Sequence, residues 1–363
     1  MKNSRFSLII IALVFGLNVT VASAEECSPA DTTEEIRAAG VRVETFLQKN
    51  TAGTQVQRRY LAYVPDRVVT SGKKVPVVIA NHGSWNNAEM MRETTLAGFE
   101  RLADRDGFVV VYGNAMPNPT DKPLVECNNV FQANRGWWRE PLADSGKGSD
   151  NFIDDEEYFQ MILNDLIKKG VPVNKGQVFL TGVSGGGSMS MYAAIVHGER
   201  YRAIATMAAP GLFSASKEEG GTQVPLSVFV IYSQGDPLYN QLLNWDGYSA
   251  YVKDTLKEWS DVLQVDTTTT KPFKLPNTIH EGKDYKGDNP AALVTRNSRV
   301  TVYDYERGAK GKRLLVYQID HGGHAGGNAT QWGEETINIV GFRNQDFNSA
   351  EVIWQFFKGE ITH

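Results

Sequence analysis

The chain has 363 residues, 41% hydrophobic and 22% charged, which is the make-up of a globular protein and excludes a disordered or fibrous one. Its formal net charge is -5 and no basic stripe stands out, so nucleic acid is not an expected partner, because phosphate binding needs clustered cations.

Lys2 and Arg5 precede an apolar run from Leu8 to Leu17, and Ala22-Ser23-Ala24 then supplies a small-x-small cleavage pattern. Residues 1–24 are therefore expected to be a signal peptide, with the mature chain starting at Glu25 and secreted to the periplasm or the medium. The run is too short for the roughly 20 apolar residues of a spanning helix, so no membrane anchor is expected after cleavage. In an oxidising compartment, Cys27 and Cys127, the two cysteines of the chain, are expected to form one disulfide.

Residues 25–55 are polar and read as helical from Thr33 to Gln48. Gln57 to Val64 alternates as a strand and stops at Pro65. Val75 to Ala80 is an apolar run with the signature of a buried parallel strand, and it leads into Asn81-His82-Gly83-Ser84. A helix ending near Arg105 is followed by a buried strand from Phe108 to Tyr112. Residues 113–153 are irregular.

Asp154 to Lys169 is amphipathic, with Phe159, Ile162, Leu163 and Leu166 on one face, and Gly170 and Pro172 stop it. The expected elements that follow are a strand over Val178–Thr181, a helix over Ser188–Val196, strands over Ala203–Ala209 and Leu226–Tyr232, and a helix over Ser249–Leu263. After a polar stretch at 264–298 come strands Val300–Tyr305 and Leu314–Ile319, then a terminal helix over Glu351–Lys358. This alternation predicts an α/β fold: one domain over residues 25–363, a mostly parallel central sheet, and helices on both faces.

Gly182-Val183-Ser184-Gly185-Gly186 fits G-x-S-x-G between a strand and a helix, the context of a nucleophile elbow. A sharp turn there lifts the Ser184 hydroxyl above the sheet and demands small residues two positions away on each side. A serine needs a base, and the hydrolase order of nucleophile, acid, then histidine restricts the choice. His197 lies in the helix after the elbow, His280 in a polar loop, and His363 is the last residue. His321 and His324 remain, both in a Gly-rich loop after a strand. The acid is expected at a strand end between them and Ser184. Asp236 in Gly235-Asp236-Pro237 fits, with Asp246 and Asp320 as alternatives. The oxyanion hole is expected from the N–H of Gly185 and that of Ser84, with Trp85 as second choice, and His82 is expected to be structural. His321 and His324 have no neighbouring cysteine or carboxylate cluster, so no metal site is expected.

These segments resemble the polyhydroxybutyrate-depolymerase-type esterases, a group that includes feruloyl and acetylxylan esterases. The resemblance runs through Arg59-Tyr60-Leu61-Ala62-Tyr63-Val64-Pro65, His82-Gly83, Gly107 to Tyr112, the pair Asp154-Asp155, Val171 to Gly186, Gly235-Asp236-Pro237, and Gly322-Gly323-His324-Ala325-Gly326-Gly327. It implies an α/β-hydrolase fold and selects His324 over His321 as the base. It also sets Trp137 and Trp138 in an aromatic loop near the cleft, where with Trp85 they are able to stack on a sugar or phenolic ring. The family's Trp-Pro after the histidine is absent here, which predicts a differently shaped pocket.

The expected function is a secreted serine esterase acting on feruloyl, acetyl-polysaccharide or hydroxyalkanoate esters through an acyl-enzyme, without metal or organic cofactor. The substrate partner is then a small-molecule, oligomeric or polysaccharide ester. The rivals are a serine peptidase on the same fold and an inactive homologue that binds carbohydrate or surfaces.

Overall fold

The computed structural model describes residues 33–50, 53–84, 86–117, 135–136, 153–209, 225–239, 248–268, 270–277, 289–305, 308, 311–328 and 330–359. The expected signal peptide, Cys27, Cys127, Trp85, Trp137, Trp138, Asp246 and His280 all lie outside these residues.

Twelve strands are described: β1 (Val41–Lys49), β2 (Gln55–Tyr63), β3 (Val75–Asn81), β4 (Val109–Gly113), β5 (Met116–Pro117), β6 (Arg135–Gly136), β7 (Val173–Val183), β8 (Ala203–Met207), β9 (Ser227–Ser233), β10 (Phe273–Lys274), β11 (Arg299–Tyr305) and β12 (Leu314–Asp320). Ten of them make one sheet in the order β1-β2-β4-β3-β7-β8-β9-β12-β11-β10, and β5 pairs with β6 alone. The run from β4 to β12 is parallel. The flanking pairs on both sides are antiparallel. This is the α/β-hydrolase arrangement.

The parallel strands are apolar on both faces because both are covered. Val77 and Ile79 of β3 join a core with Phe159, Ile162 and Leu166 of helix Asp155–Lys168 and Trp259 of helix Tyr248–Leu263. Val78 and Ala80, pointing the other way, join Met91, Phe99, Trp354 and Phe357. Trp354 stacks on Phe108 at 3.8 Å between ring centroids. That contact fixes helix Ser349–Lys358 under the second face.

One sequence expectation fails. The helix beginning at Thr33 stops at Ala38, and Val41 to Lys49 is a strand paired along its whole length with β2, from Val41 opposite Tyr63 to Lys49 opposite Gln55. Gly40, at φ +78°, ends the helix. The β-branched residues after it pair more favourably with β2 than they would coil. The polar stretch 264–298 also carries more than loop: a two-residue strand and a short helix, Pro290–Leu293. Among the described residues, no helix is long and apolar enough to cross a membrane.

The Asp154-Asp155 pair has a structural use. Asp154 caps its helix by accepting from the N–H groups of Glu156 and Glu157 at 2.8 and 3.2 Å. Asp155 is fully buried and takes a hydrogen bond of 2.5 Å from Arg58, itself buried, bonded to Gln48 Oε1 at 2.6 Å and lying over the Tyr158 ring. Arg58→Ala leaves the Asp155 carboxylate without its cation. We expect a loss of about 3–5 kcal/mol in denaturant unfolding, much of it recovered in the double variant Arg58→Met/Asp155→Leu. A loss under about 1 kcal/mol in the single variant would contradict this account.

Candidate active site

Ser184 follows β7 directly and caps helix Gly185–His197 with φ +53° and ψ -124°. A serine in this region is strained by about 1–3 kcal/mol, held only where the surroundings leave it no alternative. The surroundings are tight. A Cβ on Gly182 would lie 2.4 Å from the Gly186 carbonyl carbon, and one on Gly186 only 2.3 Å from the carbonyl oxygens of Asn81 and His82. The Ser184 N–H donates to Met207 O at 2.9 Å, tying the elbow to the end of β8. Asn81 Nδ2 donates to Ser190 Oγ at 3.0 Å, and Ser190 Oγ to Gly186 O at 2.8 Å, which locks the helix against β3.

The loop after β3 reaches the same point. A Cβ on Gly83 would lie 3.3 Å from Ser184 Cβ, and one on Gly185 3.1 Å from Ser84 N. The two residues expected to supply oxyanion N–H groups are thus side by side. His82 is fully buried, and its Nε2 accepts from the Ala115 N–H at 3.0 Å. Its Nδ1 must then carry the proton, which it donates to Gly83 O at 2.6 Å. Both ring nitrogens are occupied, so His82 shapes the loop and is not a free base.

Asp236 sits just beyond β9, fully buried. Its Oδ1 accepts from the N–H groups of Leu238 and Tyr239 at 3.0 and 3.4 Å, and its Oδ2 is 2.7 Å from His324 Nδ1. His324 follows β12 and is 8% exposed. Its Nε2 is buried without a hydrogen-bond partner, and no hydrogen bond joins it to Ser184 Oγ in this structure. A paired Nδ1 and an open Nε2 is the arrangement a general base needs before substrate arrives.

His321 is exposed, at φ +50°, with its backbone against Gly235. Asp320 is spent on the Arg299 N–H, across the β11–β12 hairpin. His197 lies within 3.6–3.8 Å of Glu156 and Glu199, away from this edge. Of the candidates within the described residues, the structure brings Ser84, Ser184 and Gly185 together in one group and Asp236 and His324 in another. All come from the carboxyl ends of parallel strands β3, β7, β9 and β12, where a doubly covered sheet leaves an open edge.

Sequence reasoning missed three supports. Tyr239 meets the His324 ring edge-on at 5.2 Å, with its hydroxyl donating to Ala208 O at 3.3 Å. The backbone of Val340 and Phe342 holds the histidine loop: His324 N–H donates to Val340 O at 2.6 Å and Gly323 N–H to Phe342 O at 3.0 Å. Gly326 approaches Met207 so closely that a Cβ there would lie 2.7 Å from its sulfur. The last contact seats the loop over the strand that also anchors Ser184. Of these, only the glycines of the histidine loop left a trace in the sequence, in the run Gly322-Gly323-His324-Ala325-Gly326-Gly327. Among the described residues no three His, Cys, Asp or Glu side chains converge as a metal site would require.

The family model described as "Putative esterase" matches residues 52–338. The chain belongs to this esterase family. It is 23% identical over 212 residues to the bifunctional acetylxylan esterase/xylanase XynS20E of Neocallimastix patriciarum, a match covering 58% of this chain. The chain spans 25% of the length of that curated relative. Among solved structures it is similar to an acetyl xylan esterase from Aspergillus awamori, at 13% identity and TM-score 0.47, covering 77% of this chain and 94% of that one. It is also similar to a ferulic acid esterase from Anaeromyces mucronatus, solved with ferulic acid, at 19% identity and TM-score 0.42, covering 61% and 79%.

Proposed function

We propose that this member of the esterase family hydrolyses carboxylic esters by two-step acyl transfer at Ser184. The observation that carries the reading is the buried Asp236–His324 pair at 2.7 Å with the far histidine nitrogen open, on the same strand edge as a serine held at positive φ. His324 Nε2 takes the Ser184 proton as Oγ attacks the ester carbonyl. Asp236 holds the Nδ1–H tautomer and stabilises the imidazolium that forms. The N–H groups of Gly185 and Ser84 receive the oxyanion. The alcohol leaves with the proton from His324, and water repeats the sequence on the acyl-enzyme. The proposed substrates are acetyl or feruloyl esters of polysaccharides or their oligomers, with hydroxyalkanoate esters as the further class. The proposed location is outside the cytoplasm, after removal of residues 1–24.

A fluorophosphonate probe tests the nucleophile directly. Intact protein is expected to take one label, on the peptide containing Ser184, and Ser184→Ala to take none. Labelling at another serine, or none in folded protein at pH 8, would remove the basis of the proposal. A panel of aryl acetates, methyl ferulate, acetylated xylan and hydroxybutyrate oligomers then separates the substrate classes by kcat/KM.

A further inference from the structure

The candidate residues stand in two groups. Ser184, with Gly185 and Ser84 beside it, is tied to the end of β8, where its N–H donates to Met207 O at 2.9 Å. Asp236 and His324 form the second group, and no hydrogen bond joins His324 Nε2 to Ser184 Oγ. Proton transfer between the groups needs the imidazole held at a set distance and angle to the serine. Asp236 fixes one end of the ring only. Its bond to Nδ1, 2.7 Å long, leaves the imidazole able to rock about the line from His324 Cα to that contact. Nε2 is on the far side of the ring, where the rocking displaces it.

Tyr239 meets this ring. The two ring centroids are 5.2 Å apart and the planes are inclined at 65°. The same residue reaches both groups. Its N–H donates to Asp236 Oδ1 at 3.4 Å, and its hydroxyl donates to Ala208 O at 3.3 Å. Ala208 directly follows Met207. It is fully buried, its N–H donates to Ile231 O at 2.9 Å, and its φ is +48°, a conformation that alanine keeps only where its surroundings impose it. The carbonyl that takes the hydroxyl is therefore a fixed point, next in the chain to the carbonyl that holds Ser184. The contact of Gly326 with Met207 seats the backbone of the histidine loop. Tyr239 bears on the ring itself.

We infer that Tyr239 is a positioning residue: its ring is the wall that sets the His324 imidazole toward Ser184, and its hydroxyl pins that wall to the end of β8. This role rests on the proposed parts of Ser184 as nucleophile and His324 as base. Tyr239 itself touches no reacting atom. It governs how much of the time Nε2 is in line with the serine hydroxyl, which enters kcat and leaves the binding of a small ester unchanged.

Steady-state hydrolysis of an aryl acetate by Tyr239→Ala, Tyr239→Leu and Tyr239→Phe tests this in the full chain, with active serines counted by fluorophosphonate labelling taken to completion. Tyr239→Ala is expected to lower kcat per labelled site about 30-fold with KM within about threefold, since a misplacement of about 1 Å costs up to about 100-fold. Tyr239→Leu fills the space without a flat wall and is expected to lose about tenfold, and Tyr239→Phe keeps the wall without its pin and is expected to lose about threefold. A merely structural role gives the opposite pattern: fewer sites label, and each labelled site turns over at the parental rate. That pattern overturns the inference, as does a kcat per site within about threefold of the parent in both Tyr239→Ala and Tyr239→Leu. Should neither of these fold, Tyr239→Phe decides, and the parental rate there overturns the inference. One label on Ser184 and turnover of the aryl acetate in the parent uphold the proposed mechanism whatever the Tyr239 variants do, so the two readings fail separately.

Discussion

Ser184→Ala is expected to lower kcat for an aryl acetate by on the order of 10⁵-fold, His324→Ala by about as much, and the double variant by no more than either alone. In the proposed mechanism the serine and the histidine act as one device. Without its base the hydroxyl is a poor nucleophile, and without the hydroxyl the base has nothing to activate. Under that mechanism, what remains in each variant is binding and the N–H groups of Gly185 and Ser84 proposed to receive the oxyanion. The substitution should leave the fold alone. Ser184 N–H bonds Met207 O, and its carbonyl accepts from Ser188 N–H, both at 2.9 Å, and neither bond uses the side chain. Unfolding free energy is therefore expected to stay within about 1 kcal/mol of the parent. Steady-state rates of the three purified variants, with circular dichroism as a control on folding, decide the point. More than about 1% residual activity in Ser184→Ala would place the nucleophile elsewhere.

Asp236→Asn should cost about 10⁴-fold in kcat while leaving the shape of the site intact. The carboxylate has two jobs, one on each oxygen. Oδ1 accepts from the backbone N–H groups of Leu238 and Tyr239, and Oδ2 faces His324 Nδ1. An asparagine keeps its one oxygen toward the two backbone donors, since turning over would leave both unmet in a buried site. Its NH₂ then points at Nδ1, which must accept. The histidine is forced into the tautomer with the proton on Nε2, and that nitrogen cannot take the serine proton. Asp320→Asn is the matched control, because Asp320 serves the Arg299 N–H and not a histidine. Equal losses in the two variants would show that position 236 is not special.

Much of this arrangement was legible in the chain itself. The elbow showed because strain leaves a sequence mark: only small residues fit beside Ser184, so Gly182 and Gly186 stand at fixed offsets. Asp236 showed because it follows a β-branched strand in a turn. The parallel strands β3, β4, β8 and β9 showed as short apolar runs, since burial on both faces removes polar alternation. Strand β1 was misread because local composition around Thr33 to Gln48 is ambiguous, and its state was decided by pairing with β2 across the hairpin. The identity of the base was left between His321 and His324 by the residues alone. Three positions separate them in the chain, yet one is exposed and the other is 2.7 Å from a buried carboxylate.

The amino-acid sequence by itself determined the fold class and marked the turn that carries Ser184, because each depends on local pattern and on chain order. Only the tertiary structure decided which histidine faces Asp236 and which nitrogen of His82 carries its proton. Those are facts about what lies across a gap from a side chain. The elements that close each gap, Val340 to Asn344 against the histidine loop and Ala115 against His82, lie 16 or more residues away in the chain, where no spacing rule reaches.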